Sequence, residues 1–272
     1  MAPNERPGLH TVELGHGRPG MPLVLSHALG LDHRMWLPLA ERLSAAHPVL
    51  LYDHRGHGHS GRPDGTWTMH DLVDDAAQIV ESWGHGPVAF IGLSMGGMVG
   101  QGLAVRWPEL VQGLVLANTV AAYGAEAQAG WQQRITKVKQ SGMAAVAELV
   151  VERYLHVAFR SAHPEVADAV RRTVLDCDPL AYAINCSAVA QVNWLPELDR
   201  IACPTQVIAG ALDMGATPEA ARAIATAIPG AVLDVLADAS HLSVAEAPAD
   251  FERLVAALLS AAGSRTAFSA VR

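Results

Sequence analysis

Cysteine and positive charge are both scarce in this sequence of 272 residues. The three cysteines are odd in number and none belongs to a CxxC pair, so they do not form a disulfide framework. We interpret Cys177, Cys186 and Cys203 as small buried residues. Lys and Arg number 19 against 27 Asp and Glu, which gives a formal net charge of −8. Since no basic stretch interleaves with aromatic residues, nucleic acid is not an expected partner.

Long apolar runs are missing as well. No uninterrupted run reaches the ~18 residues that a membrane span requires, and "MAPNERPGLH" at positions 1–10 lacks the apolar segment of a secretion signal. We therefore expect a soluble cytoplasmic protein without a membrane partner. Half of the residues are hydrophobic, which is enough for a large core, and the length suits one domain with or without an insertion. The sequence does not predict an oligomeric state.

Short apolar runs alternate with helical patterns over most of the chain. This alternation predicts an α/β fold with a mostly parallel, doubly wound sheet. Strands are predicted at 21–27, 48–53, 87–94, 111–119, 203–210 and 231–238. Helices are predicted at 36–47, 69–84, 94–108, 218–228 and 247–259, and the last residues, 264–272, are predicted to be a frayed tail.

The alternation is interrupted between the fourth and fifth predicted strands. Residues 120–198 have helical patterns only, and a segment of this length is too long for a simple connection in such a sheet. Candidate helices lie at 126–140, 142–155, 164–177 and 179–192. We predict a helical cap over 120–198, inserted into an α/β core made of 1–119 and 199–272.

The motif G-x-S-x-G occurs at 92–96 as "GLSMG", between a predicted strand and a predicted helix. In that context the motif is typical of a nucleophile turn, where flanking glycines allow the serine hydroxyl to project above the sheet. Ser94 is therefore the candidate nucleophile. The alternative is a glycine-rich packing turn without a catalytic role.

A serine nucleophile needs a base and an acid that orients the base. Asp213 follows the predicted strand 203–210, and His241 follows the strand 231–238. The order Ser94, Asp213, His241 is the one expected when three loops at the same sheet edge supply the triad. Asp238 is the rival acid, although only three residues separate it from His241. Some hydrolases carry the acid after the preceding core strand, but that position here reads "ANT".

An oxyanion site needs backbone donors that already point at the reacting oxygen. The N–H group of Met95, the residue after the nucleophile, is one candidate donor. The second donor is expected from the loop "SHALGLDHRMW" at 26–36.

The stretch "DHRGHGHS" at 53–60 brings three histidines together, namely His54, His57 and His59. A metal site needs three or four converging ligands with supporting hydrogen bonds. No distant partner cluster is evident in the sequence, and serine chemistry requires no metal. We predict no metal and no cofactor.

Taken together, the turn at 92–96, the triad order and the D-x-R-G-x-G-x-S loop resemble the α/β-hydrolase superfamily. The resemblance implies that Asp53 and Arg55 tie the loop 53–60 down by hydrogen bonds, that Gly56 and Gly58 allow its turns, and that its three histidines are loop and surface residues. It also implies that the N–H of Leu29 is the second oxyanion donor. His27 is grouped with the substrate-binding candidates; it either orients the 26–36 loop or is a packed histidine.

Within that superfamily the sequence resembles the 3-oxoadipate enol-lactonases across most of its length. The matching stretches are "YDHRGHGHS", "GLSMGGMVGQ", "LVLANT", "W-x-x-R", "SGMAAVAE", "NCSAV", "VIAGALDMGATP" and "ASHLSVAEAP". That family opens an enol-lactone bearing a carboxylate, in aromatic degradation. The W-x-x-R match implies that Arg134, with Trp131 beside it, binds the substrate carboxylate; the alternative is an exposed helix arginine. The stretches "SHALG" and "ERYLHVAF" differ from the "SNSLG" and "RWF" patterns expected in the family.

These observations predict a serine hydrolase that cleaves a small carboxylic ester or lactone through an acyl-enzyme at Ser94. The best specific prediction is 3-oxoadipate enol-lactone as substrate. A broad carboxylesterase and a carbon–carbon bond hydrolase are alternative enzymes. A ligand sensor that keeps the fold but turns over slowly is the alternative from another functional class.

Overall fold

The computed structural model describes the chain over residues 8–269, with side chains described to residue 264. Seven strands form one sheet in the order β1-β3-β2-β4-β5-β6-β7. Their bounds are β1 Thr11–Leu14, β2 Leu23–Ser26, β3 Val49–Tyr52, β4 Val88–Leu93, β5 Val111–Ala117, β6 Thr205–Gly210 and β7 Val232–Leu236. All pairs are parallel except β1 with β3. The predicted mostly parallel sheet is therefore confirmed, and the six predicted strands each contain an observed one.

The edge strand β1 was not predicted from the sequence. It has four residues, and its side chains alternate between exposed and half-buried, so "TVEL" contains no apolar run. Its pairing with β3 comes from the tertiary structure. By contrast, all six residues of β4 are buried, as expected for a central strand that helices cover on both faces.

Within the described residues, six α-helices lie outside the segment between β5 and β6. Their bounds are α1 Leu37–Leu43, α2 Met69–Trp83, α3 Met95–Arg106, α9 Pro218–Ala227, α10 Ser243–Glu246 and α11 Pro248–Ser269. The central helix α3 packs on β2, β4 and β5, while α11 packs on β5 and β6. The prediction of a frayed tail at 264–272 is wrong for 264–269, where α11 continues; residues 270–272 lie outside the described part of the chain.

The segment between β5 and β6, residues 118–204 and hereafter the insert, contains five helices. They are α4 Ala125–Ser141, α5 Ala147–Tyr154, α6 Val157–Ala162, α7 Pro164–Leu175 and α8 Pro179–Ala190. Four of them fall within or close to the predicted ranges, and α6 is additional. The helices α4 and α8 pack together, as do α5 and α7. An isolated bridge between Ala122 and Asn193 joins the two ends of the insert.

The parallel strands β2 to β7 all end at one edge of the sheet, because parallel strands run in the same direction. The loops that follow these strands contain the candidate site residues Leu29, Ser94, Asp213 and His241. This is the edge at which ligands bind in open α/β sheets. Within residues 8–269, no helix is long and apolar enough to cross a membrane.

Candidate active site

Ser94 lies on the tight turn between β4 and α3. Its backbone has φ 58° and ψ −115°, a conformation that is strained for a residue with a side chain. The turn is this tight because its flanking positions lack side chains: a Cβ on Gly92 would lie 2.2 Å from the carbonyl oxygen of Gly96, and a Cβ on Gly96 would lie 2.1 Å from the carbonyl oxygen of Ser26. The positive φ falls on Ser94 and not on Gly92 or Gly96, which the packing-turn alternative does not explain.

His241 and Asp213 form a hydrogen-bonded pair. The Nδ1 atom of His241 lies 2.7 Å from Oδ2 of Asp213, and both residues are buried. Asp213 follows β6 and His241 follows β7, as the sequence predicted. The rival acid Asp238 is exposed, so it does not fill this position.

Three further donors surround the Asp213 carboxylate. The N–H groups of Gly215 and Ala216 donate to Oδ1 over 2.8 and 3.0 Å, and Nδ2 of Asn118 donates to Oδ2 over 3.1 Å. Burial raises the pKa of Asp213, but His241 and the two N–H groups outweigh it and hold the pKa below its usual value. Asp213 therefore stays ionised and can stabilise a positive charge on His241.

Asn118 occupies the position in "ANT" where the sequence analysis noted a missing carboxylate. It has φ 46°, donates to both Asp213 and the carbonyl of Ser240, and accepts from the hydroxyl of Ser243. Asn is among the few residues that adopt positive φ readily. Its position beside the acid was not predicted, because the sequence does not reveal which loops meet.

The loop after β2 is held in place by His27. Its Nδ1–H donates to the carbonyl of Ala28 over 2.8 Å, and its Nε2 accepts from the N–H of His54 over 2.9 Å. In a trans peptide the N–H points away from the carbonyl. The hydrogen bond to Ala28 thus turns the N–H of Leu29 away from His27, and Leu29 lines the cavity that contains Ser94. Met95, the other candidate donor, is the first residue of α3, where N–H groups lack partners within the helix.

The assignment of His27 to substrate binding is wrong. His27 is completely buried, both of its ring nitrogens are engaged within the protein, and it is not on the cavity wall. Burial lowers the pKa of His27, so it is held neutral. It orients the loop, which is one of the two roles that the sequence left open.

Tyr154 of α5 connects the insert to two loops of the site. Its hydroxyl donates to the carbonyl of Leu29 over 2.7 Å, and its ring centre lies 4.8 Å from that of His241. Its backbone carbonyl accepts from the N–H of Leu242 over 2.9 Å. Tyr154 belongs to "ERYLHVAF", which the sequence analysis noted only as a departure from a pattern.

The three histidines of "DHRGHGHS" separate in the structure. The prediction that all three are surface residues is wrong for His54 and His57, which are 1% exposed, whereas His59 is exposed. Nε2 of His57 accepts from the N–H of Gly30 over 3.0 Å, and Nε2 of His54 lies 3.0 Å from the hydroxyl of Ser26. Burial lowers the pKa of His57 to about 3. These two histidines therefore act as neutral packing and hydrogen-bonding groups against the 26–36 loop.

Asp53 and Arg55 hold the same loop, as the resemblance implied. Asp53 accepts from the N–H groups of His33 and His59, over 2.8 and 3.0 Å. Arg55 forms a two-point ion pair with Asp75 of α2, with distances of 2.5 and 2.6 Å. The loop is thereby fixed to both the 26–36 loop and α2.

Arg134 lies on α4 and is 7% exposed, so the alternative of an exposed helix arginine is wrong. Its guanidinium carbon lies 4.8 Å from the ring centre of Trp131. Within residues 8–264 it forms no salt bridge, and its buried Nη2 atom has no hydrogen-bond partner. A buried cation with an unsatisfied donor is unusual, because desolvation of such a group is costly.

A cavity of about 890 Å³ brings these groups together between the sheet edge and the insert. Its wall includes the predicted site residues Leu29, Ser94, Trp131, Arg134, Asp213 and His241. Three insert side chains that the sequence analysis did not single out, Tyr123, Lys137 and Arg153, also line it. The cavity thus brings together Ser94, the His241–Asp213 pair and the buried guanidinium of Arg134.

Comparison with known proteins defines the class to which this fold and site belong. Residues 23–254 match the alpha/beta hydrolase family. The sequence is 33% identical over 237 residues to 3-oxoadipate enol-lactonase 2 of Acinetobacter baylyi. This alignment covers 87% of this chain and 88% of that protein. The chain therefore belongs to the alpha/beta hydrolase family.

Solved structures give the same relationship in three dimensions. An enol-lactonase from Burkholderia xenovorans superposes with a TM-score of 0.89 at 36% identity, covering 93% of this chain and 96% of that one. A thermophilic esterase from Thermogutta terrifontis, solved with malate bound, superposes with a TM-score of 0.86 at 29% identity, covering 93% of each chain. The predicted α/β-hydrolase fold and the resemblance to enol-lactonases are confirmed.

Proposed function

We propose that this protein is a serine hydrolase that opens a small lactone or ester carrying a carboxylate, through an acyl-enzyme at Ser94. The preferred substrate is 3-oxoadipate enol-lactone. The observation that carries the proposal is one cavity lined by Ser94, by the 2.7 Å His241–Asp213 pair and by the buried guanidinium of Arg134.

In the first step His241 removes the hydroxyl proton of Ser94, and the Oγ atom of Ser94 attacks the carbonyl carbon of the substrate. Asp213 accepts a hydrogen bond from Nδ1–H of His241, so Nε2 is the atom that receives the proton. The low pKa of Asp213 supports this role, since an ionised carboxylate stabilises the imidazolium. His241 then returns the proton to the leaving oxygen, the lactone ring opens, and the acyl group stays on Ser94.

Water completes the reaction. His241 takes a proton from a water molecule, the resulting hydroxide attacks the acyl carbon, and Ser94 leaves as the alcohol with the proton from His241. In both steps the negative carbonyl oxygen is stabilised by the N–H groups of Met95 and Leu29, which we assign as the oxyanion donors. The hydrogen bonds that His27 and Tyr154 make to the 27–30 loop support this assignment, because they fix the two peptides on either side of Leu29.

The charge of the cavity supports a carboxylate on the substrate. Arg134 lines the cavity and forms no salt bridge within residues 8–264, so a substrate carboxylate would supply the counter-charge for its guanidinium. Trp131, stacked on the guanidinium, would limit how far that side chain can swing. The related T. terrifontis esterase was solved with malate, a dicarboxylic acid, which agrees with an anionic ligand.

We also assign the insert, predicted as a cap over 120–198, as the roof of this site. Eight residues of α4, from Ala125 to Lys137, line the cavity together with residues of α5. A roof of this kind excludes water during acylation and limits the size of the acyl group.

Turnover of the enol-lactone by purified protein tests the proposal. We expect kcat/KM for the carboxylate-bearing lactone to exceed that for a neutral short-chain ester by about two orders of magnitude or more. Mass spectrometry should find an acyl adduct on Ser94 after rapid quenching, and Ser94→Ala should form none. Comparable rates on both substrates would favour a broad carboxylesterase. Tight lactone binding with negligible turnover would favour the sensor.

A further inference from the structure

A second group of titratable side chains lies around the 26–36 loop, outside the wall of the cavity. It consists of His10, just before β1, His33 in the 3₁₀ turn at the end of the 26–36 loop, and Asp53 after β3. One ring nitrogen of each histidine and one carboxylate oxygen of Asp53 lie within 4.8 Å of one another. None of the three lines the catalytic cavity.

A third imidazole stands beside this group. The ring centre of His59 lies 5.0 Å from that of His10 and 6.3 Å from that of His33, and the His10–His33 distance is 5.1 Å. In a tetrahedral site with metal–nitrogen bonds of about 2.0–2.1 Å, the centres of two bound imidazoles are about 5 Å apart. Two of the three distances match this value. His59 is exposed, so a rotamer change can shorten the third.

Asp53 is arranged as a supporting residue for such a site. Its side chain is completely buried, and its Oδ1 lies 2.8 Å from Nδ1 of His33 and accepts the N–H of the same residue over 2.8 Å. A histidine whose Nδ1–H is held by a carboxylate presents its Nε2 as an electron-pair donor, and this arrangement is common around metal-bound histidines. Oδ2 of Asp53 accepts the backbone N–H of His59, so the same carboxylate orients the ring of His33 and fixes the backbone of His59.

The backbone around the group is also fixed before any ion arrives. The N–H of His10 donates to the hydroxyl of Ser60, which in turn donates to the carbonyl of Asp53 over 2.6 Å. The carbonyl of His10 accepts from the N–H of Asp53 over 3.0 Å. Three separate stretches of chain are therefore tied together at the point where their histidines meet, which lowers the ordering cost of binding.

We propose that His10, His33 and His59 bind one transition-metal ion of the zinc type, with Asp53 as the carboxylate that orients His33 and with water completing the coordination. Three neutral imidazoles are ligands for Zn²⁺, Ni²⁺ or Cu²⁺ rather than for Mg²⁺ or Ca²⁺, which take oxygen ligands. The ion joins the start of β1 to the loop that carries Leu29, and its role is to stabilise the fold. It takes no part in hydrolysis, because none of its ligands faces the cavity.

Calorimetric titration of the full chain, purified without a polyhistidine tag, tests the site. We expect about one equivalent of Zn²⁺ to bind and to raise the melting temperature, while Mg²⁺ does neither. Co²⁺ should give the intense visible absorption of a tetrahedral complex with nitrogen ligands. His10→Ala and His59→Ala should each weaken Zn²⁺ binding by about 100-fold or more, since each removes a ligand.

The chain offers matched controls. His16 and His163 have side chains that are 88% and 49% exposed and lie outside the group, so His16→Ala and His163→Ala should leave the titration unchanged. His10 is only half-buried, so its variant is expected to fold, and circular dichroism checks this. Zn²⁺ binding that is absent in the parent protein, or that is unchanged in both His10→Ala and His59→Ala, would overturn the proposal.

Discussion

The hydroxyl of Tyr154 donates a hydrogen bond to the carbonyl of Leu29 over 2.7 Å, across 125 positions of sequence. Tyr154 belongs to α5 of the insert, and Leu29 belongs to the loop after β2. The same tyrosine packs its ring beside His241. The insert therefore contacts both the loop of Leu29 and the candidate base His241 through one side chain.

Removal of this hydroxyl should affect the transition state more than substrate binding. In Tyr154→Phe the buried carbonyl of Leu29 loses its donor, and a buried group left without a partner costs about 1–3 kcal/mol. We expect kcat to fall by about 5- to 150-fold with little change in KM. Steady-state kinetics measure this split, and the melting temperature reports any general loss of packing. A rise in KM at constant kcat would mean that Tyr154 contacts the substrate instead.

The Ser94, His241 and Asp213 set should behave as a unit. Ser94→Ala, His241→Ala and Asp213→Asn should each lower kcat by about three orders of magnitude or more, and the losses in double variants should not add. Asp238→Asn is the matched control, because Asp238 is exposed and lies on the same loop as His241. Near-normal activity of Asp213→Asn together with an inactive Asp238→Asn would transfer the role of the acid to Asp238.

Arg134 should discriminate between substrates. Loss of a buried charge-assisted pair costs about 2–4 kcal/mol, so Arg134→Ala should lower kcat/KM for the carboxylate-bearing enol-lactone by about 30- to 1000-fold. Hydrolysis of a neutral short-chain ester should change by well under tenfold. Lys139→Ala is the control, since Lys139 is an exposed cation on the same helix that does not line the cavity. Equal losses on both substrates would show that Arg134 supports the fold rather than the substrate.

His27 should make stability depend on pH. Burial lowers its pKa in the folded protein, so the unfolded chain binds this proton more readily. The stability that the neutral ring contributes is therefore complete above the ordinary value of about 6.5 and is lost as pH falls below it. The variant His27→Asn lacks this titrating ring. Its unfolding free energy should therefore fall less steeply between pH 6.5 and 5, with a slope smaller by up to about 1.4 kcal/mol per pH unit. Urea unfolding at several pH values measures the slope, and identical slopes in both proteins would refute the assignment.

Local sequence patterns predicted most of the sheet and the chain order of the candidate catalytic residues. Buried strands in a parallel sheet need apolar runs, and the six strands with such runs were found. The turn at Ser94 is also local, since glycine two positions before and two positions after it is a requirement of that turn. The chain order then assigned Asp213 and His241, because loops after parallel strands share one edge. By itself the sequence thus determined the fold class and the candidate triad.

Only the tertiary structure decided the contacts that join distant parts of the chain. The edge strand β1 has no apolar run and exists because it pairs with β3. Asn118 meets Asp213 across 95 positions, and the three histidines of "DHRGHGHS" divide between the interior and the surface according to what packs beside each. His59 joins His10 and His33 for the same reason. Such contacts depend on how strands and loops are arranged in space, and no local pattern of residue types encodes that arrangement.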